Sequence, residues 1–172
     1  PILWHIMKLY ASYGVQYFII CAGYKQHVIK EWFADYFLHN SDITFDYTNG
    51  KNEVIVHNQN CEQWRITVVD TGLNTMTGGR VKRIREYIED ESFFLTYGDG
   101  VADVDLDKEL VFHKEHGKLV TMSAYNAGQR FGVLDKDPEG HITDFREKTR
   151  GDGNIINIGY MICKPEFIDL ID

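Results

Sequence analysis

The sequence predicts an α/β fold: a mostly parallel, mixed sheet layered with helices and interrupted by one β-hairpin excursion. Three observations carry this. Segments with helical apolar spacing alternate with short, continuous apolar runs, the rhythm of strands covered by helices. One stretch, around Asn49-Gly50, switches to a period of two. No internal repeat, low-complexity segment or linker divides the 172 residues, so a single domain over 1–172 is expected.

The elements follow in order. Ile2, Leu3, Ile6, Leu9, Tyr10 and Tyr13 have helical spacing, and Gly14 suits a C-cap. Tyr17–Cys21 is a short aromatic-rich run that suits a strand buried on both faces. Gly23 breaks it, and Val28, Ile29, Trp32, Phe33, Tyr36 and Phe37 mark one helix from Tyr24 to about Leu38. Ile43, Phe45 and Tyr47 alternate, as do Val54 and Val56, and Asn-Gly between alternating runs signals a hairpin. Arg65–Asp70 reads as a strand, Thr71–Gly79 as a polar loop and Val81–Ile88 as a basic helix. Ser92–Tyr97 is a core strand ending at Gly98-Asp99-Gly100. Asp107–His116 is a helix closed by Gly117, and Leu119–Ala124 a further core strand. Phe131–Leu134 and His141–Phe145 flank a turn at Asp137–Gly140. Ile155–Cys163 is the last strand, and Pro165 opens a helix.

Composition narrows the function. Eighteen Lys and Arg against 26 Asp and Glu give a net charge of −8, unsuited to general nucleic-acid binding or to anionic membranes. Hydrophobic residues are 44% and charged residues 26%, ordinary globular usage. The longest apolar run, Tyr17–Cys21, is too short to span a bilayer, and no signal peptide is visible. Cys21, Cys61 and Cys163 are odd in number and lack CxxC spacing, so they read as reduced residues of a cytosolic chain. Cys21, inside an apolar run, reads as core and not as a reactive thiol. The chain opens at Pro1 without Met and stops at Asp172 inside a helix just begun. A piece of a longer protein is expected.

In a parallel α/β sheet, ligands bind beyond the C-terminal strand ends. Two clusters lie there. Thr71 to Arg80, containing Thr77-Gly78-Gly79-Arg80, follows a strand and opens a helix. Its glycines allow close backbone approach, and a helix N-terminus leaves N–H groups for an anion or the edge of a base. Arg80 opposes the helix dipole there. The plainer reading is a strand-to-helix turn with a solvated Arg. The second cluster is Tyr97-Gly98-Asp99-Gly100, with Asp103, Asp105 and Asp107 behind it. Asp99 between two glycines suits a hard cation such as Mg²⁺ shared with phosphate oxygens. Asp103 to Asp107 lack the Gly and Glu of a calcium loop and read as a helix entry with an N-cap. His113 and His116 read as a solvated helix end, not a metal site. Glu147 and Lys148 suit sugar hydroxyls and phosphate, or a solvated loop. No GxSxG nucleophile is present.

Taken together, these stretches resemble the sugar-nucleotidyltransferase family over nearly the whole chain. They are Pro1-Ile-Leu-Trp-His-Ile-Met-Lys8, Phe18-Ile-Ile-Cys-Ala-Gly-Tyr-Lys25, Val28-Ile-Lys-Glu31, Val69-Asp-Thr-Gly72, Met76-Thr-Gly-Gly-Arg80, Tyr97-Gly-Asp-Gly100, Arg130-Phe-Gly132, Phe145-Arg-Glu-Lys148 and Asn157-Ile-Gly-Tyr160. Met76-Thr-Gly-Gly-Arg80 points to the cytidylyl branch. The resemblance implies a Rossmann-like three-layer α/β/α nucleotide-diphospho-sugar transferase fold. It implies cytidylyl transfer from CTP to α-glucose 1-phosphate, giving CDP-glucose and pyrophosphate for bacterial surface polysaccharide synthesis. Asp99 and Lys148 would be catalytic, with Asp99 the Mg²⁺ ligand. Thr77, Gly78, Gly79, Arg80, Gly98 and Asp99 would bind nucleotide. Gly132, Glu147, Lys148, Asn157, Gly159 and Tyr160 would line the sugar-phosphate site. The Thr77–Arg80 loop and Asp99 would share one crevice. A homo-oligomer at full length is also implied.

The departures carry weight. The family's GGxGTR loop and phosphate-contacting Lys would lie before Pro1, and a second metal-binding Asp after Asp172. Thr149 stands where Pro is usual and Ile158 where Gly is common. The chain as it stands is therefore expected to be inactive and to leave a central sheet edge unpaired. Two alternatives are a non-catalytic nucleotide-sugar-binding domain and a transferase for UTP, dTTP or GTP.

Overall fold

The structure, a computed structural model, describes residues 1–126, 133–146 and 155–172. The chain divides into two compact units, one formed by Pro1–Ile6 with Ser92–Lys164 and the other by Met7–Glu91 with Pro165–Asp172.

Helix α1, Ile2–Ser12, buries Ile6, Met7 and Tyr10, residues three and four apart on one face. Gly14, at φ 89°, lets the chain turn out of it. Strand β1, Tyr17–Ala22, is only partly buried until Ala22, which differs from the expected two-sided burial. Helix α2, Gln26–Ala34, is separated from α3, Tyr36–His39, by Asp35 at ψ 3°. One helix was expected across this span; two are found.

Strands β2, Ser41–Asp46, and β3, Glu53–Gln59, form the expected antiparallel hairpin. Asn49 and Gly50 both take positive φ, 55° and 74°, as Asn-Gly favours. Asp46 Oδ1 accepts from both the N–H and the hydroxyl of Thr48 at 2.9 and 2.6 Å, closing the loop. Ile43 faces Val56 and Phe45 faces Val54, so these apolar side chains share one face of the hairpin. Strand β4, Arg65–Asp70, pairs in parallel with β1 from Tyr17↔Arg65 to Ala22↔Asp70. Helix α4, Thr77–Arg83, starts four residues before the expected Val81, which places Gly78 and Gly79 inside its first turn.

The other unit is built on β5, Phe93–Thr96. Helix α5, Leu106–His116, is capped by Asp105, whose carboxylate accepts from the Lys108 N–H, and ends at Gly117 in the left-handed region. Both caps follow the sequence expectation. Strands β6, Val120–Asn126, and β7, Val133–Lys136, precede β8, Ile142–Arg146, and β9, Ile155–Cys163. Strands β7 and β8 pair across the expected Asp137–Gly140 turn. Strand β9 runs between β5 and β6, antiparallel to both. The sheet content is therefore mixed: parallel at β1–β4, antiparallel around β9. In the unit that holds β1, α6, Glu166–Asp169, follows Pro165.

Candidate active site

The predicted site residues fall in both units. The Thr77–Arg80 group sits where β1 and β4 end. Thr71, wholly buried, extends the parallel pairing by one step: its N–H and its hydroxyl both donate to the Ala22 carbonyl, at 2.8 and 2.7 Å. Arg80 then reaches back from α4. Its Nη1 donates to Thr71 Oγ1 at 2.7 Å and to the Ala22 carbonyl at 3.2 Å, and its Nη2 to the Leu73 carbonyl at 3.3 Å. Arg83, one turn on, donates through Nη1 to the Thr71 carbonyl and to Thr75 Oγ1, at 2.7 and 2.9 Å. Two arginines of one short helix thus hold the loop that precedes it.

This packing explains the glycines. A Cβ on Gly23 would lie 2.6 Å from Arg80 Nη1 and 2.8 Å from the Gly72 carbonyl, and one on Gly79 would lie 3.0 Å from Thr75 Cγ2. Gly72 combines φ 88° with a Cβ position 2.5 Å from Arg83 Nη1. Arg80 is therefore not the solvated side chain of the plainer reading. Met76, at the N-cap, makes no side-chain cap hydrogen bond, and the first-turn N–H groups of Thr77, Gly78 and Gly79 are those a helix leaves without internal partners. Asp70, at the end of β4, is held below the usual carboxylate range, first by Gln26 and then by the Gly72 N–H. Cys21 Sγ lies 3.9 Å from the Arg80 carbonyl, and burial raises its thiol above the ordinary value, with Arg80 pulling the other way. A thiol in that state is a poor nucleophile.

In the other unit, Gly98 and Asp99 follow β5, and Asp99 is exposed. A Cβ at Gly98 would meet only Leu3, at 3.9 Å, and one at Gly100 would meet open space. These glycines leave the carboxylate approachable; they are not demanded by packing. Among the described residues, no group of three or more His, Cys, Asp or Glu could hold a metal ion. Asp99, an exposed carboxylate between two glycines, is an oxygen donor of the kind a hard cation takes.

Asn157 and Gly159 lie on β9. Asn157 Oδ1 accepts from the Gly159 N–H at 2.7 Å. Tyr160, expected to line a sugar site, is 1% exposed. Its hydroxyl donates to the Gly100 carbonyl at 3.1 Å and accepts from the Ala102 N–H at 3.2 Å. Gly132, Glu147 and Lys148, with Thr149, lie outside the described residues.

Helix α5 departs from the expected solvated end at His113. His113 is 1% exposed, not solvated. The Lys118 N–H donates to His116 Nδ1 at 2.9 Å, which assigns the ring proton to Nε2 in the neutral form. His116 Nε2 then donates to Thr121 Oγ1 at 2.7 Å, and the Thr121 hydroxyl donates to His113 Nδ1 at 2.7 Å. His113 Nε2 is left facing Ser92 Oγ at 3.3 Å. Burial lowers the His113 pKa, helped by His116 and Lys164. Glu109, one turn earlier and also buried, is raised by burial, with the Ser123 hydroxyl pulling the other way. Burial and the Glu109 charge push the Cys163 thiol up to about 11. The spacing of Leu106, Glu109 and His113 marks one helix face, and that signal was available in the sequence.

One unit thus offers glycines and a helix start beyond the ends of its parallel strands, where α/β sheets place ligands; the other offers an exposed carboxylate after β5. The nucleotidyl transferase family model matches residues 1–172. A glucose-1-phosphate cytidylyltransferase of Salmonella typhi is 53% identical over 173 residues, covering 100% of this chain and 66% of the relative. A probable glucose-1-phosphate cytidylyltransferase of Bacillus subtilis is 40% identical, covering 99% of this chain and 65% of the relative. Among solved structures, HddC from Yersinia pseudotuberculosis, complexed with GMP-PN, superposes with a TM-score of 0.59 at 23% identity, covering 99% of this chain and 65% of that one. UDP-glucose pyrophosphorylase complexed with UDP-glucose gives 0.59 at 13% identity, covering 99% and 67%. The chain belongs to the nucleotidyl transferase family, with the fold of these structures. It spans about two thirds of the length of the curated relatives it matches.

Proposed function

We propose that the protein transfers a cytidylyl group from CTP to α-glucose 1-phosphate, releasing pyrophosphate and forming CDP-glucose. The observation that carries this reading is the match along the whole chain to relatives bearing that activity in their names. In the reaction, an oxygen of the sugar phosphate attacks the α-phosphorus in line. The bond to the bridging oxygen breaks, and pyrophosphate leaves with its electron pair. No covalent enzyme intermediate is needed, so positioning and charge neutralisation supply the rate.

The backbone of Thr77, Gly78 and Gly79, with Arg80, reads the cytosine edge. Arg80 already gives three hydrogen bonds to protein acceptors. Its part is therefore first to shape the base-reading loop, with its remaining N–H donors available to the base. Asp99 holds Mg²⁺, which on binding neutralises phosphate charge. Gly132, Glu147 and Lys148 serve the sugar phosphate, Lys148 at its phosphate and Glu147 at the hydroxyls. Asn157 and Gly159 shape strand β9, on which they lie. An acidic protein can do this because local donors and a cation outweigh the net charge. A homo-oligomer of the full-length protein is part of the same reading. No helix among the described residues is long and apolar enough to cross a membrane.

Competition among CTP, UTP, dTTP and GTP for nucleotide-sugar formation tests the base assignment. CTP is expected to dominate; a clear preference for UTP overturns the role of Thr77–Arg80. Binding of CDP-glucose without turnover, in a protein extended to the relatives' length, would instead favour a non-catalytic nucleotide-sugar-binding domain.

A further inference from the structure

We propose that Tyr160 is a positioning residue, fixing the loop that carries Asp99 through a bulge in β9. The bulge is visible in the pairing of β9 with β6. Met122 faces Met161, but Ala124 faces Asn157, so one residue of β6 opposes three of β9. Such an interruption re-aims the side chains around it. Asn157 holds it by accepting the Gly159 N–H, and Gly159 takes φ 83° within it. A Cβ at Gly159 would lie 2.5 Å from Tyr97 Cδ2. The missing side chain is therefore the seat of the Tyr97 ring.

The next residue makes the second anchor. Tyr160 lies opposite Thr96, the last residue of β5. From there its buried hydroxyl donates to Gly100 and accepts from Ala102. One hydroxyl satisfies both a carbonyl and an N–H of a segment that has left the sheet. The loop is thus pinned on both sides of Asp99, by the Tyr97 ring against Gly159 and by the Gly100 and Ala102 backbone on Tyr160. Between the pins, Asp99 stays exposed. A ligand carried by a restrained loop loses less conformational freedom when its partner binds. The inference rests on the reading of Asp99 as the cation ligand.

Tyr160→Phe keeps the buried ring and removes the hydroxyl. Amide hydrogen exchange of residues 99–102, normalised to that of α5, is expected to rise about tenfold, the worth of one to two net hydrogen bonds. In the active full-length protein, the apparent Mg²⁺ constant is expected to rise while that for glucose 1-phosphate stays as in the parent. A loop exchange rate equal to the parent's overturns the proposal, and so does a Mg²⁺ constant that does not move. Asp99→Asn separates this from the underlying reading. If Asp99→Asn leaves the Mg²⁺ constant unchanged, the cation role of Asp99 fails, whatever Tyr160 does to the loop.

Discussion

At the scale of single residues, Arg80 and Asp99 occupy opposite physical situations. Arg80 is tied to Thr71, Ala22 and Leu73, so removing it loosens the loop before α4 as well as deleting the proposed base contact. Arg80→Ala is expected to raise the apparent CTP constant more than it lowers the maximal rate. It should also cost about 1–3 kcal/mol of stability through the lost hydrogen bonds. Steady-state kinetics with a thermal melt checks both, and a fall in rate as large as the rise in the constant contradicts the base-reading role. Asp99, exposed and flanked by open space, supports little of the fold. In a protein extended to the relatives' length, Asp99→Ala is expected to abolish divalent-cation-dependent turnover with an unchanged melting temperature. Survival of activity to within a few-fold would contradict the cation assignment. Gly23 joins the Arg80 network by its lack of a side chain. Gly23→Ala would force Arg80 and the Gly72 carbonyl apart, at a cost of about 1–3 kcal/mol. A thermal melt equal to the parent's would show that the network yields freely.

At the scale of elements, helix α5 against strand β6 makes the clearest prediction. His113 is neutral in its hydrogen-bonded chain with Thr121 and His116, and its pKa is lowered from the ordinary value of 6.5. Below that value the unfolded chain binds the proton more readily than the folded one. The stability His113 contributes is therefore full above pH 6.5 and is lost as pH falls through its lowered folded value. Glu109 acts in the opposite sense: its raised pKa makes its contribution full below 4.5, lost as pH rises through the folded value. From pH 5 to 7 the melting temperature of the parent should lose more towards acid than that of His113→Gln, whatever slope Glu109 adds to both. Equal slopes in the two proteins would assign the pH dependence to other groups.

The same elements show what the sequence could and could not reveal. The caps of α5, the Asn49-Gly50 hairpin and the Asp137–Gly140 turn were legible because each depends on a local rule: an N-cap carboxylate, a left-handed glycine, a positive-φ pair. The break of α2 from α3 at Asp35 carries no such mark. Helix α4 starts at Thr77, before its apolar spacing begins, and its Arg80 and Arg83 bind the end of β1 and the loop after β4, contacts which periodicity does not encode. Likewise, the residue types of the Asp99 loop were readable, but not the bulge in β9. A bulge is a relation between two strands far apart in sequence, and Gly159 alone announces only that something unusual happens there.

At the scale of the whole molecule, each sheet stops at a strand with one neighbour: β1 pairs with β4, and β5 with β9, among the described residues. The match to relatives of which this chain spans about two thirds joins the two clusters of candidate residues in one proposed reaction. In that proposal the loop at Thr77–Arg80 recognises a base, and Asp99 holds the cation that offsets the phosphate charge. Neither set alone defines an enzyme. The most direct test is pyrophosphate release from CTP and glucose 1-phosphate, measured on this chain and on a version extended to the relatives' length. Release by the extended protein, with CDP-glucose formed in equal amount, is the predicted result. Absence of release from both, under conditions where both are folded, would contradict cytidylyl transfer as the function.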